Sequence, residues 1–129
     1  MRIETVAAII KAPRDKVLSF LSNVENLPKW ATEFCKKLEN VEGRYYVTSC
    51  QGRMLFEMRA DHKTGVLDMA GGPTESQMTL WPARVVPLPN GNSAFLFTVI
   101  QGPGVPDAEF QNQLEALGRE MLNVKNALE

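Results

Sequence analysis

The sequence has little of what metal sites and disulfide frameworks are made from: its 129 residues include two cysteines, Cys35 and Cys50, and one histidine, His62. Two cysteines without paired spacing and a single imidazole argue against a structural zinc site, and neither a metal nor another cofactor is expected. An excess of charge of one sign is missing too. Fourteen basic and fifteen acidic residues leave a formal net charge of -1, with the basic ones scattered singly or in pairs such as Lys36-Lys37, so no nucleic-acid partner is expected. No run approaches the ~20 apolar residues of a membrane span, so stable membrane insertion is not expected. The opening Met1-Arg2-Ile3-Glu4-Thr5 lacks the basic start and roughly 7–15-residue apolar core of a secretory signal. These absences predict a cytoplasmic protein with both thiols reduced.

What is present is a sequence of ordinary globular composition, 44% hydrophobic and 22% charged, long enough for one domain over residues 1–129 with a core and a modest cavity. Residues 3–10 are β-rich and end at Lys11-Ala12-Pro13, where proline at a first helical position loses nothing by lacking its N–H. Val17, Leu21 and Val24 then recur at helical spacing, with Leu18 and Phe20 widening the stripe. Leu27, Trp30, Ala31 and Phe34 mark a second short helix with Asn26 as its cap and Pro28 in its first turn.

From Lys36 the period changes to two. Gln51-Gly52 reads as a two-residue hairpin turn setting Ser49 opposite Met54, Val47 opposite Phe56 and Tyr45 opposite Met58 on one apolar face. Cys50, Arg53, Leu55, Glu57 and Arg59 fall on the other face. With Thr64-Gly65 as the next turn, Ala60 and His62 face Met69 and Leu67 inside, and Asp61 opposes Asp68 outside. A three-residue loop instead puts His62 with Asp68. Gly71-Gly72-Pro73 breaks the chain, and residues 78–88 pair with 94–101 across Asn90-Gly91. Both faces of that pair are apolar: Leu80, Val86, Phe95, Phe97 and Val99 against Trp81, Val85, Leu96 and Ile100, and the sequence does not choose between them.

Asp107 is a favoured cap for a closing helix to Leu128, with Glu109 in its first turn. Phe110, Leu114, Leu117, Met121, Val124 and Leu128 form a continuous stripe that must pack on the sheet. Gly118 beside it costs about 1 kcal/mol relative to alanine, which points to close packing or to room left for a ligand. The fold class is α+β, and a sheet wrapped round one terminal helix makes a container.

The segment APRDKVLSFLSNVENLPKW, residues 12–30, resembles the opening of the START-like, helix-grip (SRPBCC) superfamily in its polyketide cyclase/dehydrase and lipid transport branch. Residues 110–129 are similar to that family's gripping helix, and DHKTGVLD, residues 61–68, resembles a motif of uncharacterised bacterial members. The resemblance implies a curved antiparallel sheet of about seven strands around the last helix, two short helices between strands 1 and 2, and a hydrophobic tunnel. It further implies a small hydrophobic ligand, a lipid or polyketide. It carries over no catalytic residue.

The expected pocket lining is Trp30, Phe34, Tyr45, Met54, Phe56, Met58, Met69, Phe97, Phe110, Leu114, Leu117 and Met121. Flexible thioethers, with Met78 beside them, suit an adaptable apolar cavity as well as plain core filling. His62 is the one candidate catalytic group, since histidine is the residue type best suited to acid–base work near neutral pH; a solvated turn residue is the plainer reading. Asp68, Tyr45 and Arg84 would join it in a cyclase or dehydratase, Arg84 pointing inward if the Phe95 face is the inner one. Tyr45 and Ser49 hydroxyls would orient a ligand or bond to backbone, whereas Cys50 is expected outside and not as a nucleophile. An exposed apolar sheet face would instead serve a partner or a second copy in a homodimer.

Overall fold

The computed structural model describes residues Met1–Glu129. Strand β1 (Ile3–Ile10) leads to helix α1 (Arg14–Ser22), a 3₁₀ turn and the four-residue helix α2 (Leu27–Trp30). Strands β2 (Lys37–Val41), β3 (Arg44–Ser49), β4 (Gly52–Asp61), β5 (Val66–Gly72), β6 (Thr79–Trp81), β7 (Ala83–Pro87) and β8 (Ser93–Ile100) follow, and α3 (Asp107–Leu128) closes the chain. The antiparallel sheet runs β1-β8-β7-β5-β4-β3-β2, with β6 paired to β5 beside that path.

Short elements begin where proline and asparagine place them. Pro13 and Pro106 are extended residues just ahead of α1 and α3, so α1 starts one residue after the expected Pro13, and Pro106 takes the cap position expected of Asp107. Asp107 is thus the first helical residue of α3, and its carboxylate accepts from Gln101 Nε2 at 2.8 Å instead of capping the helix. Asn26 makes no capping bond either; Asn23 accepts from the Glu25 N–H, while Asn26 donates to the Phe20 carbonyl. Helix α2 stops at Trp30 because Ala31 leaves helical geometry (φ -86, ψ 51), so the apolar series through Phe34 continues as a turn.

Three hairpin registers differ from the sequence reading. Strands β3 and β4 turn at Cys50-Gln51, pairing Ser49 with Gly52, Val47 with Met54 and Tyr45 with Phe56. Strands β4 and β5 turn through the four residues 62–65, pairing Asp61 with Val66 and Arg59 with Asp68. Both are slips of two, which keep each residue on its face while moving the turn. His62 therefore stands in an exposed turn, not on the inner face. Gly65 at φ +82 fixes that turn: its amide oxygen accepts from Val85 N–H at 2.9 Å, and a Cβ there would collide with the Val85 carbonyl oxygen.

The β7–β8 hairpin slips by one, with a larger consequence. Residues 89–91 form a 3₁₀ turn with Asn90 at φ 68, so Val85 pairs with Phe95 and Ala83 with Phe97. An odd slip exchanges faces. Val85, Phe95 and Ala83 are buried inside with Trp81 packed against them, while Arg84 and Val86 turn outward even though the Phe95 face is the inner one.

The core fills the space between the inner sheet face, α1, α2 and α3: Ile10, Val17, Leu18, Leu21, Leu27, Trp30, Phe95, Phe110, Met121 and Val124 are all essentially inaccessible. The α3 stripe faces the sheet, chiefly along β1, with the Arg2 guanidinium 5.1 Å from the Phe110 ring centre. Lys125 Nζ donates to the Ile9 carbonyl and Glu129 accepts from Lys11 N–H, which locks the helix end to the β1 end. Gly118 lies on the exposed side of α3 with nothing near its absent Cβ, so it marks neither close packing nor ligand room.

Candidate ligand-binding cavity

Between α3, α2 and the β3–β5 side of the sheet lies a cavity of about 440 Å³, with thirteen of its twenty-one lining residues hydrophobic. That volume suits a ligand of drug size or smaller. The floor is Met54, Phe56, Met69, Trp81, Phe97 and Val99; the α2 wall adds Leu27, Trp30, Ala31 and Phe34; and α3 forms the roof. Aromatic edges hold the walls: Phe34 meets Trp81 at 5.8 Å and Phe56 at 6.1 Å, and Trp30 meets Phe95 edge-on at 5.9 Å. Gly71 lets this happen. A Cβ there would lie 2.9 Å from Met54 Sδ and 3.0 Å from the Trp81 ring.

The roof is not the apolar stripe of α3. It is the neighbouring stripe Glu109, Gln113, Ala116 and Glu120, at spacings of four, three and four, flanked by Asn112, Arg119 and Leu117. The exposed residues Cys50, Gln51, Glu109 and Asn112 mark the mouth, where Gln51 Nε2 reaches Glu109 Oε1 at 3.5 Å.

Of the twelve residues expected to line a pocket, Trp30, Phe34, Met54, Phe56, Met69, Phe97 and Leu117 do so. Phe110 and Met121 are sealed in the solid core, and Leu114 packs against it. Met58 and Tyr45 lie by a smaller surface cleft with Arg44 and Glu75. The Tyr45 hydroxyl donates to Glu25 at 3.0 Å, a bond that pushes its pKa up. Ser49 lines the cavity, as does Cys50, which the turn at Cys50-Gln51 moves from the expected outer face to the mouth. His62, Arg84 and Asp68 are not among the lining residues; Arg84 donates to the Thr64 carbonyl on the outer side.

Sequence reading missed Trp81, displaced inward by the one-residue slip, and Glu120. Glu120 is 5% exposed in the cavity roof, its Oε2 accepting the backbone N–H groups of Glu33 at 3.2 Å and Phe34 at 3.0 Å. Burial raises its pKa, opposed by those two bonds. Next to it Arg119 grips Glu33 through two bonds of 2.7 Å, which hold the Glu33 carboxyl below the usual range. The Cys35 thiol is raised by burial and by the Glu120 charge. A glutamate beside a helical apolar stripe reads as a surface residue from sequence, so nothing local signalled its burial.

No group of three or more His, Cys, Asp or Glu residues is placed to hold a metal ion, and no helix is long and apolar enough to cross a membrane. No protein-family model and no curated protein matches the sequence. Solved structures do match in shape. XoxI from Bacillus cereus superposes with a TM-score of 0.76 at 12% identity, over 99% of this chain and 96% of that one. The Aha1 dimer from Colwellia psychrerythraea gives 0.74 at 18% identity, over 100% and 97%. The Zhui aromatase/cyclase from Streptomyces sp. R1128 gives 0.66 at 16% identity, over 98% and 90%. Agreement along nearly the whole of each chain, together with this chain's curved antiparallel sheet, two short helices after the first strand and long closing helix, identifies the architecture as a helix-grip fold.

Proposed function

We propose that this protein, acting as a single domain in the cytoplasm, binds and carries a small, largely hydrophobic molecule of lipid or polyketide size in the cavity under α3. The observation that carries this reading is the cavity itself, about 440 Å³ with a mainly apolar lining. A core of this size normally closes such a space, since interiors pack to crystal-like density. The twelve-residue expectation narrows to the seven that line the cavity, with Trp81, Val99 and Ala116 added. Among the solved structures of like fold, two are of aromatase/cyclases, which favours a polyketide-like ligand class. Binding is preferred to catalysis because His62, Arg84, Asp68 and Tyr45 all lie outside the cavity.

An uncharged apolar dye such as Nile red should bind with enhanced fluorescence, and Met54→Trp or Ala116→Trp should abolish the signal while the far-ultraviolet circular dichroism is unchanged. Dye binding that survives both substitutions would move the site elsewhere and end this reading.

A second role rests on a separate observation. The outer face of β1 and β8 exposes Ile3, Ile9 and Ile100. Such a patch serves a partner, and a second copy is the simplest one. Sedimentation at rising concentration should reveal a dimer that Ile9→Lys disperses; a monomer throughout removes this role.

A further inference from the structure

The fold buries three polar or charged side chains, Ser93, Gln101 and Glu120. Ser93 donates to the Ala12 carbonyl at 2.6 Å. Gln101 donates to the Val105 carbonyl and Asp107 and accepts from Arg2 N–H. Those two are fully engaged in holding the chain together. Glu120 is engaged on one side only: both of its hydrogen bonds end on Oε2, and Oε1 has none while not being sealed from solvent.

The charged groups around it do not supply the missing partner. Arg119 is closed on Glu33, Lys36 Nζ donates to the Thr32 carbonyl at 3.4 Å, and the Cys35 thiol is buried beside it. A ligand that fills the apolar chamber excludes solvent from Oε1, and an oxygen left there without a donor is costly, so a ligand that brings its own donor is favoured. An ionised carboxyl only accepts hydrogen bonds, so it repels a ligand carboxylate or phosphate and favours a donor, and the apolar lining around it favours an uncharged one such as an O–H.

Resting on the cavity reading above, we propose that the ligand is amphiphilic: an apolar body fills the chamber between Trp81, Phe34 and Met54, and a neutral hydroxyl on it donates to Oε1 of Glu120. Glu120 is then the residue that sets specificity within an otherwise apolar site. A Gln in its place keeps an amide oxygen for the Glu33 and Phe34 N–H groups and turns an NH₂ donor toward the ligand, which inverts the preference.

The test uses naphthalene, 2-naphthol and 2-methoxynaphthalene, one ring system with no polar group, a donor, or an acceptor alone. In mildly alkaline buffer the protein should bind all three, with 2-naphthol at least about tenfold tighter than naphthalene after correction for water–alkane partition, as a hydrogen bond to a charged group provides. Carbon-13 NMR should show the Glu120 carboxyl resonance moving with 2-naphthol and not with naphthalene. Glu120→Gln should abolish the naphthol preference and favour 2-methoxynaphthalene over both other probes. If naphthalene binds while 2-naphthol binds no tighter, or the Glu120 resonance of the unaltered protein stays still, the hydroxyl proposal falls and the apolar cavity stands. If none of the three binds, the cavity reading falls and this one with it.

Discussion

Along α3, Phe110, Met121, Val124 and Leu128 are buried against the sheet, while Glu109, Asn112, Gln113 and Ala116, one step round the same helix, border an open cavity, with Leu117 on the boundary between them. The backbone is common to both stripes. The difference is side-chain volume and what stands opposite: β1 approaches α3 closely, whereas on the other flank the facing strands carry Gly71 and the aromatic rings of Phe56 and Trp81 at the cavity edge. An apolar stripe therefore reports where a helix is packed solid. Ligand space lies beside it, under small and polar residues.

The contrast predicts unequal responses to like substitutions. Val124→Asp, which puts a charge into a fully buried site of the packed stripe, should cost at least about 3 kcal/mol. Asn112→Asp over the cavity mouth should stay within about 0.5 kcal/mol. Chemical denaturation of the pair measures both, and similar losses would break the distinction between the stripes.

Ala116→Trp probes the cavity stripe by volume. The indole should occupy existing space and remove apolar-dye binding, a loss well beyond tenfold or about 1.4 kcal/mol, with a smaller change in melting temperature than Val124→Ala causes. A larger fall in melting temperature than Val124→Ala gives would mean that Ala116 is packed as tightly as its neighbours.

Glu120 sharpens the comparison through pH. Its folded-state pKa is raised above the unfolded value of about 4.3, so the stability it contributes is full below that value and is lost as pH rises through the folded pKa. Glu33 and Glu129, with lowered pKa values, act in the opposite sense and lose their contribution as pH falls. The difference in unfolding free energy between the parent protein and Glu120→Gln isolates the first effect and should decline with rising pH across that window. A difference that is flat with pH would show that Glu120 is not desolvated. His62→Ala should have the smallest effect, leaving fold, dye binding and thermal stability unchanged, because its side chain stands in an exposed turn remote from both stripes; loss of dye binding would return a polar group to the site.

How far the sequence could be read depends on the range of the interactions involved. Period-two alternation in β3 and β4, the apolar α3 stripe and the proline-marked helix starts are local patterns, and they specify the elements and the inner face wherever a hairpin slips by an even number. Met54, Phe56, Met69 and Leu117 were legible as cavity residues for that reason, whereas Phe97 stands on a hairpin whose inner face the sequence left open. Turn length was not legible: Asn90-Gly91 reads as a two-residue loop, and only closure of the sheet around Phe95 makes it three, which sends Trp81 inward and Arg84 outward. Glu120 lies further still from local reading, because its burial depends on the turn after α2 bringing the Glu33 and Phe34 N–H groups against a helix 86 residues away in sequence. By itself the sequence determined the order of strands and helices and the apolar stripe that packs the closing helix on the sheet, through short-range periodicity. Which side of that helix packs solid, which borders a cavity, and which carboxyl faces into it were decided by contacts between distant segments, which exist only once the sheet has closed on α3.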